Sequence, residues 1–347
     1  MIDTALLLTI LVMVIKVGIL TMILFSLPMP LTWLERKVAG HIHARLGPFR
    51  VGPHGILQPL ADTIKLLFKE DIVPEKADKF IFKIAPLIAM IPAFAVFVAI
   101  PVGGTWTVPV IEQEVNLYVT DMNVGLLYIL AMGGLGIYGI IFGGWASNSK
   151  YALLGGLRSA AQMISYEVAM SFAAVGVVMM SNSLSLVNIV DTQGGGFWNW
   201  NIFYLPVGPV WFAIFIIAGS AEINRIPFDL AEDEGTLAAG FHTEYSGMKF
   251  SFFMLAEYIA MVTISVLSVV LFFGGWHPPV DYTIPFVPIA FIWLFWFVAK
   301  VAFFIYMFMW VRFTLPRYRY DQLMNIGWKI LIPISLVNIL ITGLMRI

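Results

Sequence analysis

Cysteine is absent from this sequence, and charged residues are scarce. Without cysteine the chain has no disulfides and no thiolate ligands for zinc or iron–sulfur clusters. Charged residues make up 12% of the 347 residues and hydrophobic residues 60%, whereas a soluble domain is about a quarter charged. A soluble fold of this composition would leave too much hydrocarbon facing water, so an ordinary soluble protein is excluded.

Cofactor motifs are missing as well. There is no Walker-type phosphate loop and no strand-flanked GxGxxG, so we expect neither a nucleotide site nor nucleic-acid binding. All five histidines fall in predicted loops, which excludes an intramembrane pair for a b-type haem: His41, His43, His54, His242 and His277. No metal site is predicted. If the chain takes part in redox chemistry, the electrons come from a partner and the acceptor is diffusible.

Long apolar runs dominate what is present. A bilayer core needs about 20 mostly apolar residues in a helix. Eight stretches qualify: 5–33, 80–103, 122–146, 153–181, 205–225, 247–274, 286–311 and 323–345. The first has Asp3 instead of a basic leader and lacks an Ala-x-Ala site, so we expect a retained span rather than a signal peptide. The sequence predicts an all-α integral membrane protein, with residues 1–347 as one membrane domain.

The basic residues predict its orientation. The loops after spans two, four and six (104–121, 182–204 and 275–285) contain acids but no lysine or arginine, and the other loops hold or border nearly all basic residues. The positive-inside rule therefore predicts that the basic loops are cytoplasmic and that both termini lie outside. In a bacterial inner membrane the outside is the periplasm.

Two further patterns concern packing. Residues 55–70 in the first inside loop place apolar side chains on one helical face and Asp62, Lys65 and Lys69 on the other. This predicts an amphipathic helix, and either the membrane interface or a partner protein would cover its apolar face. The glycines of span three, including Gly139 and Gly143 at small-xxx-small spacing, predict close helix packing without a catalytic role.

Three glutamates lie within predicted spans, where a buried charge is costly and indicates function by default. Counted from the nearest basic residue at 1.5 Å per residue, Glu167 and Glu257 lie about 12–14 Å into the membrane and Glu222 about 5 Å. Pairing with an intramembrane base such as Lys16 or Lys300 is the simple alternative. Three acids on successive helices facing one acidic loop favour a proton or cation path.

Family resemblance resides in the inside segments. They read LERKVAGHIHARLGPFRVGPHGILQPLADTIKLLFKE at 34–70, LLGGLRSAAQMISYEVAMSFA at 153–173, AEINRIPFDLAEDE with GFHTEYSGMKF up to 250, and VRFTLPRYRYDQLMNIGWK at 311–329. In content and order these segments resemble the H-type subunit of NADH:quinone oxidoreductase, respiratory complex I, over essentially the whole chain.

The resemblance implies a subunit at the heel of an L-shaped complex, where inside loops help to enclose a quinone chamber under the hydrophilic arm. Quinone would be the substrate. NADH, FMN and the iron–sulfur clusters would belong to partner subunits, with the terminal cluster in the hydrophilic arm. Small and antiporter-like membrane subunits and lipid would be the other neighbours. The chain alone would have no catalytic residues and no complete active site.

Individual roles carry over by position. The chamber and its entrance would use Glu35, Arg36, Lys37, Arg45, Phe228 and Arg312. The acidic, proton-coupling path would use Glu167, Glu222, Glu232, Glu234 and Glu257. For Arg45, Arg317 and Arg319, docking of partner loops or lipid head groups is the alternative.

Two positions depart from the family pattern. His43 stands where a glutamine commonly precedes Ala44, and Thr236 stands where the acidic loop usually has another glutamate. The first would put a group that titrates near neutrality beside the chamber mouth. The second leaves one acid fewer in the path.

Two other functions remain open. The related subunit of a membrane-bound hydrogenase or a coenzyme F420 dehydrogenase is the nearer one. A stand-alone cation transporter is the other, although the chain has no inverted repeat and no Gly/Pro-broken helix pair. The sequence leaves open which quinone binds, which carrier donates the electrons, and whether the acids conduct protons or only sense charge.

Overall fold

The computed structural model describes residues 4–108, 113–229, 238–280 and 288–346. Within these ranges the helices are α1 Thr4–Ser26, α2 Pro28–Ile42, α3 Gln58–Phe68, α4 Lys79–Ala95, α5 Gly125–Ala146, α6 Lys150–Ser181, α7 Leu186–Asp191, α8 Val207–Glu222, α9 Gly247–Phe272, α10 Ile289–Thr314, α11 Tyr320–Asn325 and α12 Ile332–Leu344. A π-helical stretch, Ile326–Leu331, joins α11 to α12. One antiparallel hairpin pairs β1 Thr105–Val108 with β2 Gln113–Asn116.

Seven helical stretches in the described part are long and apolar enough to cross a bilayer: Leu11–Ile42, Lys79–Val98, Gly125–Ala146, Lys150–Ser181, Gly247–Phe272, Ile289–Thr314 and Tyr320–Leu344. The apolar helix Val207–Glu222 is shorter, at 16 residues. Because a backbone inside lipid must satisfy its own hydrogen bonds, helices are the expected solution. The all-α membrane class is confirmed, and the chain is a multi-pass membrane protein.

The first inside segment differs from the prediction. The sequence predicts a loop from residue 34, but helix α2 continues to Ile42. Pro28 stands in the first turn of α2, where a backbone N–H would have no acceptor within the helix. The missing N–H of proline therefore costs nothing there, and a new helix begins directly after α1. As a consequence Glu35 sits on the inward face of a helix, with 5% of its surface exposed.

Helix α8 is also shorter than the predicted span 205–225. At 1.5 Å per residue its 16 residues cover about 24 Å, less than the roughly 30 Å of a hydrocarbon core. Glu222 is its last residue. The acidic side chain therefore stands at a helix end rather than in the middle of a span.

Helix α3 lies within the predicted amphipathic segment 55–70. Its apolar side chains are exposed in this chain, with Leu67 57% and Phe68 87% accessible. On its other face Asp62 accepts a hydrogen bond from Arg36 of α2. Membrane or partner must cover the apolar face, as the sequence predicts.

Helix α9 divides the core into two parts. From Met261 to Phe272 every residue is buried, and this half packs in the main apolar core with α6 and α8. From Met248 to Tyr258 most residues are partly exposed and line a cleft on one side and a cavity on the other. The open space near α9 is thus concentrated at the end that bears its charged residues.

Candidate functional site

One buried carboxylate gathers side chains from four helical regions. Glu35 of α2 accepts hydrogen bonds at Oε2 from Arg225 Nη1 at 2.8 Å and from the Tyr258 hydroxyl at 2.6 Å. Arg312, near the end of α10, donates to Oε1 of the same carboxylate. The Arg225 guanidinium also lies 4.3 Å from the Tyr258 ring centre, within cation–π range. We call Glu35, Arg225, Tyr258 and Arg312 the Glu35 cluster.

The charges of this cluster do not cancel. Two arginines share one carboxylate, so one positive charge remains; at the side chain Glu35 is 7%, Arg225 10% and Arg312 30% exposed. Removing one partner from such a buried set leaves an uncompensated charge, which costs about 3–5 kcal/mol. The cluster therefore both holds α2 against α8, α9 and α10 and presents an excess positive field.

A network of amides fixes the position of Arg225. Gln162 of α6 donates through Nε2 to the backbone oxygens of Ala221 at 2.8 Å and Phe228 at 2.7 Å. Asn224 donates through Nδ2 to Ser159 Oγ at 2.8 Å. Because these partners are buried, the end of α8 and the turn after it are fixed against α6.

An apolar cleft of about 450 Å³ opens between α2, α3 and α9. Its walls include Phe25, Met29, Leu66, Phe252, Met254 and Leu255. Arg36 and Asp62, which form an ion pair of 2.5 Å, line it too, and so does Tyr258 of the Glu35 cluster. The cleft is thus apolar along its walls and reaches one member of the buried charged cluster.

The six predicted chamber residues occupy three places. Glu35 and Arg312 meet in the Glu35 cluster, whereas Arg36 faces the cleft. Lys37 and Arg45 line a separate cavity of about 770 Å³, where the Lys37 ammonium lies 5.8 Å from the Trp33 ring centre. Their roles toward a quinone stay predictions.

Phe228, the sixth predicted chamber residue, is 6% exposed and lies between two tyrosines. Its ring centre is 5.7 Å from that of Tyr318, with the planes nearly parallel, and 5.7 Å from that of Tyr166. Next to it Asp229 accepts a hydrogen bond from Arg317 at 3.2 Å. In this chain the Phe228 side chain therefore packs in the core.

Two of the predicted coupling acids share a cavity. Glu222 and Glu257 line a space of about 100 Å³ between α4, α5, α8 and α9, which we call the acidic cavity. Oε2 of Glu222 is buried and forms no hydrogen bond within the described part of the chain. Oε1 of Glu257 lies 3.8 Å from Nε2 of His242.

Glu167 of α6 approaches the same region from another side. Its carboxylate lies against Gly134 of α5, the neighbour of a glycine that lines the acidic cavity. The other two predicted coupling acids, Glu232 and Glu234, lie outside the described residues, as does Thr236. No group of three or more histidines and acids in the described ranges could hold a metal ion.

The predicted lysine partners are engaged elsewhere. Lys16 donates to the backbone oxygens of Asn116 at 2.9 Å and Tyr118 at 3.3 Å. Lys300 donates to three backbone oxygens in the turn after α9, at 2.7, 3.0 and 2.7 Å. Both ammonium groups thus cap carbonyls, so the pairing of either lysine with a buried glutamate is wrong.

Four residues near the site are not predicted from the sequence. By sequence Arg225 marks only a membrane boundary, Tyr258 only neighbours Glu257, and His242 is only a loop residue. Gly134 belongs by its spacing to the packing glycines. A usable signal was proximity in sequence: Arg225 lies three residues after Glu222, and Tyr258 follows Glu257.

His242 itself is buried among aromatic rings. Its ring centre is 5.5 Å from that of Phe250 and 5.3 Å from that of Phe253, and 5% of the residue is exposed. Burial lowers the pKa of His242 to about 3, so the imidazole is neutral near pH 7.

Comparisons with known proteins place this chain. The family model for NADH dehydrogenase matches residues 14–343. The second H-type subunit of NADH-quinone oxidoreductase from Rhizobium meliloti (strain 1021) is 58% identical over 332 residues, which cover 96% of each protein. The corresponding protein from Geobacter metallireducens is 52% identical over 322 residues, covering 90% of this chain and 89% of that one. The all-α membrane protein described above therefore belongs to the NADH dehydrogenase family. Within that family, these relatives are H-type subunits of NADH-quinone oxidoreductase.

Proposed function

We propose that this chain is the non-redox membrane subunit of a proton-pumping NADH:quinone oxidoreductase that helps to form the quinone chamber and couples quinone reduction to proton translocation. Other subunits of that complex are its partners, and the membrane is a bacterial inner membrane with both termini in the periplasm. The Glu35 cluster is the observation that carries this proposal, because its Tyr258 lines the apolar cleft and its Arg225 and Tyr258 lie within three residues of the two acids of the acidic cavity.

The cleft suits the tail of a quinone. An isoprenoid chain needs apolar walls, and the cleft has them along α2, α3 and α9. The polar head needs hydrogen-bond donors, and Arg36, which lines the same space, has N–H groups besides the one that donates to Asp62. A quinone from the bilayer would enter there, and its head group would move towards the hydrophilic arm, where the terminal iron–sulfur cluster supplies electrons.

The Glu35 cluster would register the charge of the reduced quinone. Two electrons create an anion that takes up protons, and the surplus positive charge at Arg225 and Arg312 responds to an anion nearby. In a buried site this interaction is screened less than in water. A shift of Arg225 would be felt at Glu222, three residues before it.

The acidic cavity would receive that signal. Glu222 is covalently close to Arg225, and Glu257 directly precedes Tyr258, so the cluster and the cavity share the same two chain segments. Protons would redistribute among Glu167, Glu222 and Glu257 and pass to the antiporter-like subunits alongside. Glu232 and Glu234 would extend this path towards the quinone.

Among the functions left open by the sequence, the relatives' names favour the quinone-reducing branch over the hydrogenase and coenzyme F420 branches. The immediate test uses Glu222→Gln and Glu257→Gln in the complete complex, in inverted membrane vesicles. We expect both variants to assemble and to oxidise NADH with a hydrophilic artificial acceptor at the wild-type rate, because that reaction needs only the hydrophilic arm. Quinone-dependent proton uptake, followed with a pH-sensitive dye, should be lost. Wild-type proton-to-electron stoichiometry in both variants would contradict the proposal.

A further inference from the structure

Two adjacent glycines of α5 face carboxylates rather than a neighbouring backbone. A Cβ placed on Gly134 would lie 2.8 Å from Oε1 of Glu167, and the three nearest atoms all belong to that carboxyl group. A Cβ placed on Gly133 would meet one atom within 4 Å, Oε1 of Glu222, at 3.3 Å. The two missing side chains thus leave space directly beside two of the proposed coupling acids.

The glycines further along α5 serve a different purpose. A Cβ on Gly139 would lie 2.4 Å from the backbone nitrogen of Ala89, and one on Gly144 would lie 2.6 Å from the backbone oxygen of Ala152. At these positions helix backbones approach so closely that only glycine fits. This is the close packing that the small-xxx-small spacing predicts.

Packing does not demand glycine at 133 and 134. The atoms nearest to the absent Cβ atoms are ends of flexible side chains, which can move aside at little cost. Alanine also forms helices better than glycine does, so the pair weakens α5 without improving its contacts. What the pair provides is open space beside the acids.

That space adjoins a cavity with an unsatisfied polar atom. Gly133 lines the acidic cavity of about 100 Å³ together with Glu222 and Glu257. Oε2 of Glu222 is buried there and has no hydrogen-bond partner in the described chain. A buried water needs room and about two to four polar partners. The Glu222 carboxyl group lines the cavity, and the Glu167 carboxyl group lies beside Gly134, the neighbour of the glycine that lines it.

We propose that Gly133 and Gly134 keep open a water-sized passage between Glu167 and Glu222, through which a proton moves from one carboxyl group to the other. The protonated carboxyl gives its proton to the water, and the water gives one of its own to the opposite carboxylate. The water is regenerated, the two glutamates exchange protonation states, and no other reactant is needed. Gly133 and Gly134 are positioning residues in this step, and the step rests on the coupling function proposed above.

Gly134→Ala in the complete complex tests the passage, because the new methyl group displaces the Glu167 carboxylate. We expect normal assembly, an unchanged rate with a hydrophilic acceptor, and thermal stability equal to or above that of the wild type. Quinone-coupled proton uptake should slow by on the order of tenfold, since a 1 Å misplacement can cost as much as a hundredfold. Gly125→Ala is the matched control on α5, because its nearest contacts would be ordinary ones at 3.8 Å. It should pump normally.

Infrared difference spectra upon quinone reduction report on the carboxyl groups directly. A purely structural role of Gly134 would leave the Glu167 carboxyl band unchanged. The carboxyl band that disappears in Glu167→Gln should shift in Gly134→Ala and stay in place in Gly125→Ala. If Gly134→Ala pumps normally while Glu167→Gln and Glu222→Gln do not, the passage is wrong and the coupling function stands. If all three pump normally, the coupling function itself is wrong. If the complex with Gly134→Ala does not assemble, Gly133→Ala is tested by the same criteria. Its Cβ would contact only one atom, so we expect this variant to assemble.

Discussion

In the Glu35 cluster a buried carboxylate accepts hydrogen bonds from two arginines and a tyrosine, whereas in the acidic cavity Glu222 has a buried oxygen with no partner in the described chain. Residues 222–225 and 257–258 contribute to both sites. In the first arrangement two arginines match the Glu35 carboxylate, and its loss would leave the buried Arg225 guanidinium without its anion. In the proposed function, fixed charge at Glu35 therefore stands beside exchangeable charge at Glu222.

The largest expected difference between the two sites concerns stability. Glu35→Ala should lower the free energy of unfolding by about 3–5 kcal/mol, because it leaves Arg225, whose side chain is 10% exposed, buried without its anion. Arg36→Ala is the control one residue away. Its pair with Asp62 is half exposed, so its loss should cost about 0–1 kcal/mol. Thermal unfolding of the purified complex and its amount in membranes measure both. Equal losses in the two variants would show that the cluster is not a structural centre.

A smaller effect on the free energy of unfolding should come from His242, beside Glu257 of the acidic cavity, at acidic pH. The folded-state pKa of His242 is about 3, below its ordinary value of 6.5, so the unfolded chain binds more protons between these values. The stabilisation is present above pH 6.5 and is lost as the pH falls from 6.5 towards 3, at a rate that approaches about 1.4 kcal/mol per pH unit.

His242→Gln removes that titration, so its unfolding temperature should depend less on pH than that of the wild type. The difference between the two curves isolates His242 from the other titrating groups. His277→Gln, which alters another histidine near an acid, Asp191, is the comparison. Parallel curves for His242→Gln and the wild type would mean that folding leaves the pKa of His242 unchanged.

The smallest effect on stability should come from Glu222→Gln, although its effect on proton uptake is expected to be large. This side chain has an oxygen with no hydrogen bond to lose, so its neutralisation should change the free energy of unfolding by less than about 1 kcal/mol. Differential scanning fluorimetry of the purified complex measures it. A loss as large as that of Glu35→Ala would erase the contrast between the sites.

Much of the fold could be predicted from the sequence, since long apolar runs and the cost of unsatisfied backbone in lipid leave helices as the answer. The acids at 167, 222 and 257 could be identified because a charge inside an apolar run stands out. Contacts across long separations could not. Tyr258 meets Glu35 across 223 residues, and this pairing depends on how α2 packs against α9.

Local sequence patterns also do not predict the contacts of a residue type that serves two purposes. Gly134 and Gly139 lie on the same glycine-rich helix, yet one faces a carboxylate and the other a backbone. Spacing alone cannot distinguish them, because the difference resides in the neighbouring helices. Likewise the lysines at 16 and 300 are plausible partners for buried acids by sequence, but backbone carbonyls distant in sequence accept their hydrogen bonds.

The central claim is that the Glu35 cluster transmits quinone charge to the acidic cavity, and Tyr258→Phe tests it most directly. The variant removes one hydroxyl, which donates to Glu35 at 2.6 Å, and keeps both arginine pairs. Tyr128→Phe is its control, because that hydroxyl donates to the backbone oxygen of Ala95 outside the cluster. The measurement is protons translocated per electron during NADH oxidation with quinone in vesicles. We expect a reduced ratio for Tyr258→Phe at normal assembly and an unchanged ratio for Tyr128→Phe. A wild-type ratio in Tyr258→Phe would contradict the claim.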